Sequence, residues 1–278
     1  MNNFIKRTLS GALFVGIIIL AILIDSYVFA AVFAIITGSA VREFHKLTNA
    51  QSETEVNGIL GVIGGVILFI TSFIYAADLL NFPVFLIYGL YIIVLIISEL
   101  YKKKKNPIHN WAYLILGQVF VALPFSLLNF IAFIDAGQYK PLILLAVFIT
   151  IWVNDSGAYI VGVTIGKHRL FERISPKKSW EGFFGGAVAA LGSGFLFAHL
   201  IPEISLLNWL LFSEIVVVFG TFGDLNESLL KRTLQVKDSG NAIPGHGGWL
   251  DRFDSMMLVS PVIFIYLTLI FHTALVHN

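Results

Sequence analysis

The sequence predicts an all-α fold: a polytopic integral membrane protein with about nine transmembrane helices and a cytoplasmic N-terminus. The first observation is composition, because 57% of the 278 residues are hydrophobic and only 13% are charged. Ordinary soluble domains are roughly 45–50% apolar and about 25% charged, so too few polar residues remain here to cover a soluble core. The second is the recurrence of apolar runs of membrane-spanning length, and the third is the placement of Lys and Arg between those runs.

Nine apolar runs approach the roughly 20 residues that a helix needs to cross a bilayer. The first two are short and only Asp25 and Ser26 separate them, so they are predicted to form a tight hairpin that tilts little or re-enters the membrane. Lys6 and Arg7 resemble the start of a signal peptide, but no small-residue cleavage site follows, which favours a retained first span. The runs cover residues 9–24, 27–41, 57–77, 82–100, 109–131, 141–163, 180–200, 205–222 and 256–275.

The distribution of positive charge predicts the orientation. Of the 18 Lys and Arg residues, only Lys140 falls outside the N-terminal tail and the segments that follow even-numbered spans. Because cytoplasmic segments carry an excess of Lys and Arg, the N-terminus and the long polar segments are predicted to face the cytoplasm. We expect the protein in the bacterial plasma membrane. The sequence contains no cysteine, which excludes disulfides and thiolate metal sites.

The polar residues are concentrated in the second half of the chain. We predict a single membrane domain over residues 1–278, in which residues 1–140 supply spans and short connectors. Residues 141–278 form the candidate catalytic half, with cytoplasmic loops at 164–179 and 223–255.

The densest polar stretch covers residues 223–255, and its first part predicts a functional helix face. If this part is helical, Asp224, Glu227, Ser228 and Lys231 lie at i, i+3, i+4 and i+7 on one face. Mg²⁺ prefers hard oxygen ligands and commonly takes one or two carboxylates together with substrate phosphates and water. An amphipathic helix at the membrane interface with a solvated polar face explains the same pattern.

The second part of this stretch is rich in glycine and ends in two carboxylates. The glycines near His246 allow close backbone approach and an anion-binding arrangement of N–H groups, although a turn between two helices needs them equally. A single histidine such as His246 is more often structural than catalytic. Asp251 and Asp254 precede the last span, where the helix dipole accounts for one carboxylate better than for two.

A second polar stretch covers residues 154–182. Asp155 lies inside the sixth apolar run, and an ionisable residue at membrane depth is a functional candidate by default. Lys177 and Lys178 suit positive-inside anchors. Ser175 before Pro176 is a candidate helix cap.

These motifs together resemble the phosphatidate cytidylyltransferase family. The pattern S-L-L-K-R-x4-K-D-S-G-x2-I-P-G-H-G-G-x-L-D-R-x-D from Ser228 to Asp254 resembles the family's signature. D-S-G-A-Y from Asp155 and I-S-P-K-K-S-x-E-G from Ile174 resemble its two other motifs, in the same order. The resemblance implies attack of the phosphatidic acid phosphate on the α-phosphorus of CTP, with pyrophosphate as leaving group and Mg²⁺ as cofactor.

The resemblance also implies roles for individual residues. Acidic side chains from two segments are expected to converge on the divalent cation, and Glu227 is a further candidate near it. The implied catalytic residues are Asp224, Ser228, Lys231 and Asp251, and the implied metal ligands are Asp224, Asp251 and Asp254. The implied substrate-binding residues are Asp155, Lys177, Lys178, Arg232, Lys237, Asp238, His246, Gly247, Gly248 and Arg252.

The expected partners are CTP, phosphatidic acid and membrane lipid, with no nucleic acid, and the resemblance implies a homodimer. Two other functions stay open at this point. A CTP-dependent lipid kinase for polyprenol or phytol would transfer the γ-phosphate instead. A secondary transporter fits the span count and the intramembrane Asp155 and Glu214, but transporters usually show internal repeats and helices broken at the midplane. This sequence shows no repeat, and its polar residues are concentrated at the predicted cytoplasmic surface.

Overall fold

The computed structural model describes residues 3–51, 53–135, 137–240, 242 and 247–276, and these residues are almost entirely helical. The helices are α1 (Asn3–Ile24), α2 (Ser26–Thr48), α3 (Gly58–Ala76), α4 (Phe85–Leu100), α5 (Pro107–Gly117), α6 (Leu123–Ala132), α7 (Pro141–Ile165), α8 (Trp180–Leu200), α9 (Leu206–Thr233), α10 (Leu250–Phe253) and α11 (Met256–Val276). A π-helical turn (Gln118–Ala122) joins α5 to α6, and two strands, β1 (Arg169–Phe171) and β2 (Ser175–Ser179), precede α8.

The predicted all-α membrane fold is confirmed. Within the described residues, seven helical segments are long and apolar enough to cross a bilayer. Two shorter apolar helices, Thr8–Ile24 and Phe85–Leu100, correspond to the first and fourth predicted runs. Each of the nine predicted runs therefore coincides with helix. The second run extends beyond the predicted residues 27–41, because α2 stays helical through its charged end to Thr48.

Polar caps set several helix boundaries. Only Asp25 separates α1 from α2, and its Oδ1 accepts the Tyr27 N–H at 2.7 Å. Asn57 caps α3 in the same way, and Asn106 caps α5 ahead of Pro107. These side chains satisfy backbone N–H groups that have no partner inside the helix.

The chain divides into two compact units, Met1–Tyr139 with Thr233–Phe253, and Lys140–Arg232 with Asp254–Asn278. We call them unit 1 and unit 2. In unit 1, α2 packs along α3, and α3 also contacts α4 and α6. Glycines of α3 make room for large side chains: a Cβ at Gly61 would overlap the His45 ring, and one at Gly64 would overlap Tyr91. The predicted single membrane domain stays a prediction.

Unit 2 is built around the pair α7 and α8. A Cβ at Gly157 would lie 2.6 Å from Ala189 Cβ, and one at Gly182 would lie 2.9 Å from the Ala158 carbonyl oxygen. Small residues of this kind let two membrane helices approach backbone to backbone. The pairing holds Asn154 of α7 against Gly186 of α8.

The segment between α7 and α8 corrects one expectation. Ser175 and Pro176 do not begin a helix, because Ser175–Ser179 is a strand that pairs antiparallel with Arg169–Phe171. The cap of α8 is Ser179, whose Oγ accepts the Gly182 N–H at 3.1 Å. The strand was not expected from its charged sequence, and it fixes where Lys177 and Lys178 lie.

Candidate active site

In unit 2, Asp224 on α9 is tied to side chains from two directions. Lys178 of β2 places its Nζ 2.5 Å from Asp224 Oδ2, and both side chains are about 30% exposed or less. Ser228, one turn further along α9, donates its hydroxyl to Asp224 Oδ1 at 3.2 Å. The structure thus brings Lys178 of one polar stretch together with Asp224 and Ser228 of the other.

The helical face predicted on α9 is present. Glu227 is buried, and its Oε2 lies 2.5 Å from the Lys231 Nζ one turn later. An exposed pair of this kind contributes little to stability, but this carboxylate is only 2% exposed. Removing Lys231 would therefore leave a buried negative charge without its cation.

Asp254 joins the same acidic region of unit 2. It lies close enough to Asp224, Glu227 and Asp155 to interact electrostatically with each of them. A Cβ at Gly223 would lie only 2.6 Å from the Asp254 carbonyl oxygen, so a glycine is required for α9 to approach this point. Four carboxylates therefore share a region whose nearby cations include Lys178 and Lys231, and such a concentration of like charge favours the binding of a cation.

A cavity of about 380 Å³ in unit 2 opens beside these groups. Its polar lining includes Asp155, Lys177, Lys178 and Asp224. Its apolar lining comes from α7, α8 and β1, with Tyr159, Val163, Leu170 and Phe183. The cavity lining therefore combines charged groups with apolar contact.

Asp155 itself is exposed on α7 and accepts a hydrogen bond from Asn154 Nδ2 at 3.3 Å. Asn154 is buried, and a Cβ at Gly186 of α8 would overlap its Oδ1. Asn154 was not among the predicted site residues. The sequence signal that could have identified it is its position next to Asp155, a carboxylate inside an apolar run.

In unit 1, hydrogen bonds from neighbouring residues hold the Asp251 carboxylate. Its Oδ2 accepts the Ser239 N–H and hydroxyl, each at 2.9 Å, and the Gly248 N–H at 2.8 Å. Gly247 has a φ of +82°, and a Cβ there would lie 2.6 Å from the same oxygen. The glycine segment thus organises Asp251. The phosphate binding that the resemblance implies for Gly247 and Gly248 stays a prediction.

Glu43 on α2 contacts the same segment and was missed from the sequence. It is 8% exposed, and its Oε2 accepts the Leu250 N–H at 3.0 Å. Its carboxylate also accepts the Trp249 N–H and lies beside the Ser239 hydroxyl, whose proton is donated to Asp251. Glu43 precedes Leu250 by 207 positions, so spacing along the chain gave no signal.

Five of the remaining predicted site residues are exposed. Lys177 is exposed on β2, and Arg232 is exposed near the end of α9 in unit 2. In unit 1, the exposed residues are Lys237, Asp238 and Arg252. His246 lies outside the described residues. Asp224 and Asp254 belong to unit 2 and Asp251 to unit 1, so convergence of Asp224 with Asp251 stays a prediction.

The donor chemistry of both acidic regions fits Mg²⁺. Over the described part of the chain, no group of three or more acidic or histidine side chains forms a preassembled metal site. Mg²⁺ needs no such cage, because it keeps several waters and binds through one or two carboxylates and substrate phosphates. Asp224 and Asp254 in unit 2, and Asp251 in unit 1, supply oxygen atoms of the required kind.

Comparison with known proteins then decides the family. The model of the cytidylyltransferase family matches residues 5–270. The chain belongs to this family. It is 41% identical over 182 residues to the phosphatidate cytidylyltransferase of Bacillus subtilis and 35% identical over 216 residues to that of Rickettsia felis. It is 44% identical over 124 residues to the phosphatidate cytidylyltransferase of Haemophilus influenzae.

These similarities within the family cover unequal parts of the proteins. The B. subtilis match spans 64% of this chain and 66% of the relative, and the H. influenzae match spans 43% of each. The chain thus covers less than two thirds of these two relatives. The R. felis match spans 75% of this chain and 91% of the relative. The family predicted from the three motifs is confirmed.

Proposed function

We propose that this membrane protein is a phosphatidate cytidylyltransferase, which converts CTP and phosphatidic acid to CDP-diacylglycerol and pyrophosphate. The observation that carries the proposal is the cavity in unit 2, whose lining combines charged groups such as Lys178 and Asp224 with apolar side chains of α7 and α8. Phosphatidic acid needs this combination, because a doubly charged phosphate is joined directly to an apolar diacylglycerol. Membership of the cytidylyltransferase family supports the choice of nucleotide.

In the proposed reaction, an oxygen of the lipid phosphate forms a bond to the α-phosphorus of CTP. The bond between the α-phosphorus and the bridging oxygen to the β-phosphorus breaks, and pyrophosphate leaves with that oxygen. No redox change occurs. Phosphoryl-type transfers depend mainly on positioning and on neutralising charge, so cationic side chains and a divalent cation are what the site has to supply.

The ion pairs of unit 2 provide cations that can be redirected to phosphate. Lys178 is held by Asp224, and Lys231 by Glu227, each at 2.5 Å. When a polyanion enters, each ammonium group can turn from its carboxylate toward a phosphate oxygen. Asp224 and Asp254 would then hold Mg²⁺ with the phosphates, and Asp251 is proposed as the further ligand. The cation would supply charge neutralisation across the phosphates.

The membrane setting favours the cytoplasmic face of the bacterial plasma membrane, where CTP is available and where the Lys and Arg distribution places the polar segments. The chain lacks native cysteine, so single cysteines introduced at Lys103 and Asp135 report sidedness directly. A membrane-impermeant thiol reagent added to intact cells should label only the cysteine at position 135. The reverse labelling would contradict this orientation.

The homodimer that the family resemblance implies stays a prediction.

The decisive experiment uses purified protein with phosphatidic acid, Mg²⁺ and CTP labelled at either the α- or the γ-phosphorus. Cytidylyl transfer places the α-label in the lipid and releases the γ-label as pyrophosphate. A CTP-dependent lipid kinase would place the γ-label in the lipid and release CDP. The second result, or no transfer of either label, would contradict the proposed function.

A further inference from the structure

Glu43 of α2 lies in unit 1 between the two segments that organise Asp251. It is 8% exposed, and no Lys or Arg faces it closely enough to form an ion pair within the part of the chain that the structure describes. A buried carboxylate without a cation is costly unless hydrogen bonds compensate for lost hydration. The donors that compensate are the Leu250 N–H at 3.0 Å and the Trp249 N–H.

Glu43 and Asp251 share their supports. Ser239 donates its N–H and hydroxyl to Asp251 at 2.9 Å each, and its hydroxyl also contacts Glu43. On the other side, Gly248 donates to Asp251 at 2.8 Å, and the next two N–H groups bind Glu43. Of three consecutive backbone N–H groups, the first thus binds Asp251 and the next two bind Glu43 of α2. Any displacement of Glu43 would move the groups that orient Asp251.

Two glycines of the family signature fit this arrangement. A Cβ at Gly240 would overlap Glu43 Oε1, and a Cβ at Gly248 would overlap the same atom. Neither glycine adopts the left-handed backbone conformation, because Gly137 and Gly247 are the glycines with positive φ among the described residues. Backbone freedom therefore does not explain Gly240 and Gly248. They leave the space that the Glu43 carboxylate fills.

We infer that Glu43 is a positioning residue, which fixes the Asp251 carboxylate by clamping the segments at residues 239–240 and 248–250 to α2. The inference rests on the proposed function, in which Asp251 is a metal ligand. It assigns a role in the site to a helix of the N-terminal half. Groups that orient metal ligands typically change metal affinity or activity by about 10- to 100-fold when they are mutated.

The test measures Mn²⁺ binding by the full-length protein in detergent, from the electron paramagnetic resonance signal of free Mn²⁺. Glu43→Gln replaces one acceptor oxygen with a donor that faces backbone N–H groups, and should raise the Mn²⁺ dissociation constant about 10-fold or more. The matched control is Glu99→Gln, because Glu99 is also buried in unit 1 and binds Lys102 and Asn110 at 2.7 and 3.0 Å. It should leave Mn²⁺ affinity within about 2-fold.

A second pair of variants separates positioning from a general loss of structure. Gly240→Ala should weaken Mn²⁺ binding because its methyl group overlaps the Glu43 carboxylate. Glu43→Asp shortens that side chain by one methylene, so the double variant should bind Mn²⁺ more tightly than Gly240→Ala alone. A merely structural role would give additive losses with no such recovery.

The outcomes separate this inference from the proposed function. Wild-type protein that binds Mn²⁺ but does not transfer the cytidylyl group contradicts the proposed function, and the Glu43 variants are still compared by affinity. The inference is overturned if Glu43→Gln and Glu99→Gln give equal affinities, or if wild-type protein takes up no Mn²⁺. It is supported if Glu43→Gln alone weakens binding and Glu43→Asp restores part of the affinity lost in Gly240→Ala.

Discussion

Asp251 in unit 1 and Asp224 in unit 2 are bound by different kinds of donor. Asp251 of unit 1 receives three hydrogen bonds on one oxygen from the neutral donors of Ser239 and Gly248. Asp224 of unit 2 is bound by the ammonium of Lys178 and by the hydroxyl of Ser228. The Asp251 carboxylate is therefore held mainly by two backbone N–H groups, and the Asp224 carboxylate by side chains that can rotate away.

This difference predicts that the two aspartates contribute differently to stability and to activity. Backbone donors fix a carboxylate in one orientation, and the free energy of these charge-assisted bonds contributes to folding. A lysine on a flexible side chain can exchange its carboxylate for an arriving phosphate with little change in the fold. Substitution of Asp251 should thus lower both the stability and the activity of the protein, whereas substitution of Asp224 should lower activity alone.

The largest effect is expected for Asp224→Asn. The substitution removes a negative ligand oxygen and the partner of Lys178, and a loss of about 4 kcal/mol in transition-state stabilisation corresponds to a rate about 10³-fold lower. The thermal unfolding midpoint should stay within about 2 °C of wild type, because the ion pair is about 30% exposed. Pyrophosphate release and a thermal melt on the same sample measure both quantities. Near-normal activity at limiting Mg²⁺ would refute the metal assignment.

Asp251→Asn should lose activity to a similar extent and should also destabilise the protein. The amide places an N–H group among the donors from Ser239 and Gly248, and a hydrogen bond to a charged group is worth about 1.5–3 kcal/mol. The thermal midpoint should therefore fall clearly below that of Asp224→Asn. Equal midpoints for the two variants would remove the proposed difference between the units. If the two aspartates act together, the double variant should be no slower than the slower single variant.

Lys231→Ala tests the exchange of partners in unit 2. We expect the apparent KM for CTP or phosphatidic acid to rise about 10-fold, because one phosphate contact is lost. The variant also removes the Lys231 ammonium that pairs with Glu227, whose side chain is 2% exposed, so a loss of about 3–5 kcal/mol in stability is expected. Adding Glu227→Gln removes the buried negative charge of that carboxylate, and should restore stability while KM stays high. Recovery of both quantities would mean that Lys231 serves only the ion pair.

The parts of this molecule that the sequence predicted are those encoded by nearby residues. Apolar runs located the helices, and the i, i+4 spacing placed Ser228 beside Asp224 and Lys231 beside Glu227. The hairpin before α8 escaped prediction because Ser175–Ser179 is a charged strand without alternating apolar residues. Glu43 escaped because its partners lie about 200 positions away, and one sequence carries no record of such a contact.

The smallest expected effect concerns packing around the unit 2 cavity. A Cβ at Gly186 would overlap Asn154 Oδ1 and lie 2.9 Å from the Asn154 carbonyl oxygen, so Gly186→Ala should separate α7 from α8 and cost about 1–3 kcal/mol. Gly192 lies on the same helix with no atom within 4 Å, and Gly192→Ala should be neutral or slightly stabilising. Because Asn154 donates to Asp155, Gly186→Ala should also raise the KM for phosphatidic acid a few-fold without changing the KM for CTP. Equal changes in both KM values would argue that the cavity does not receive the lipid.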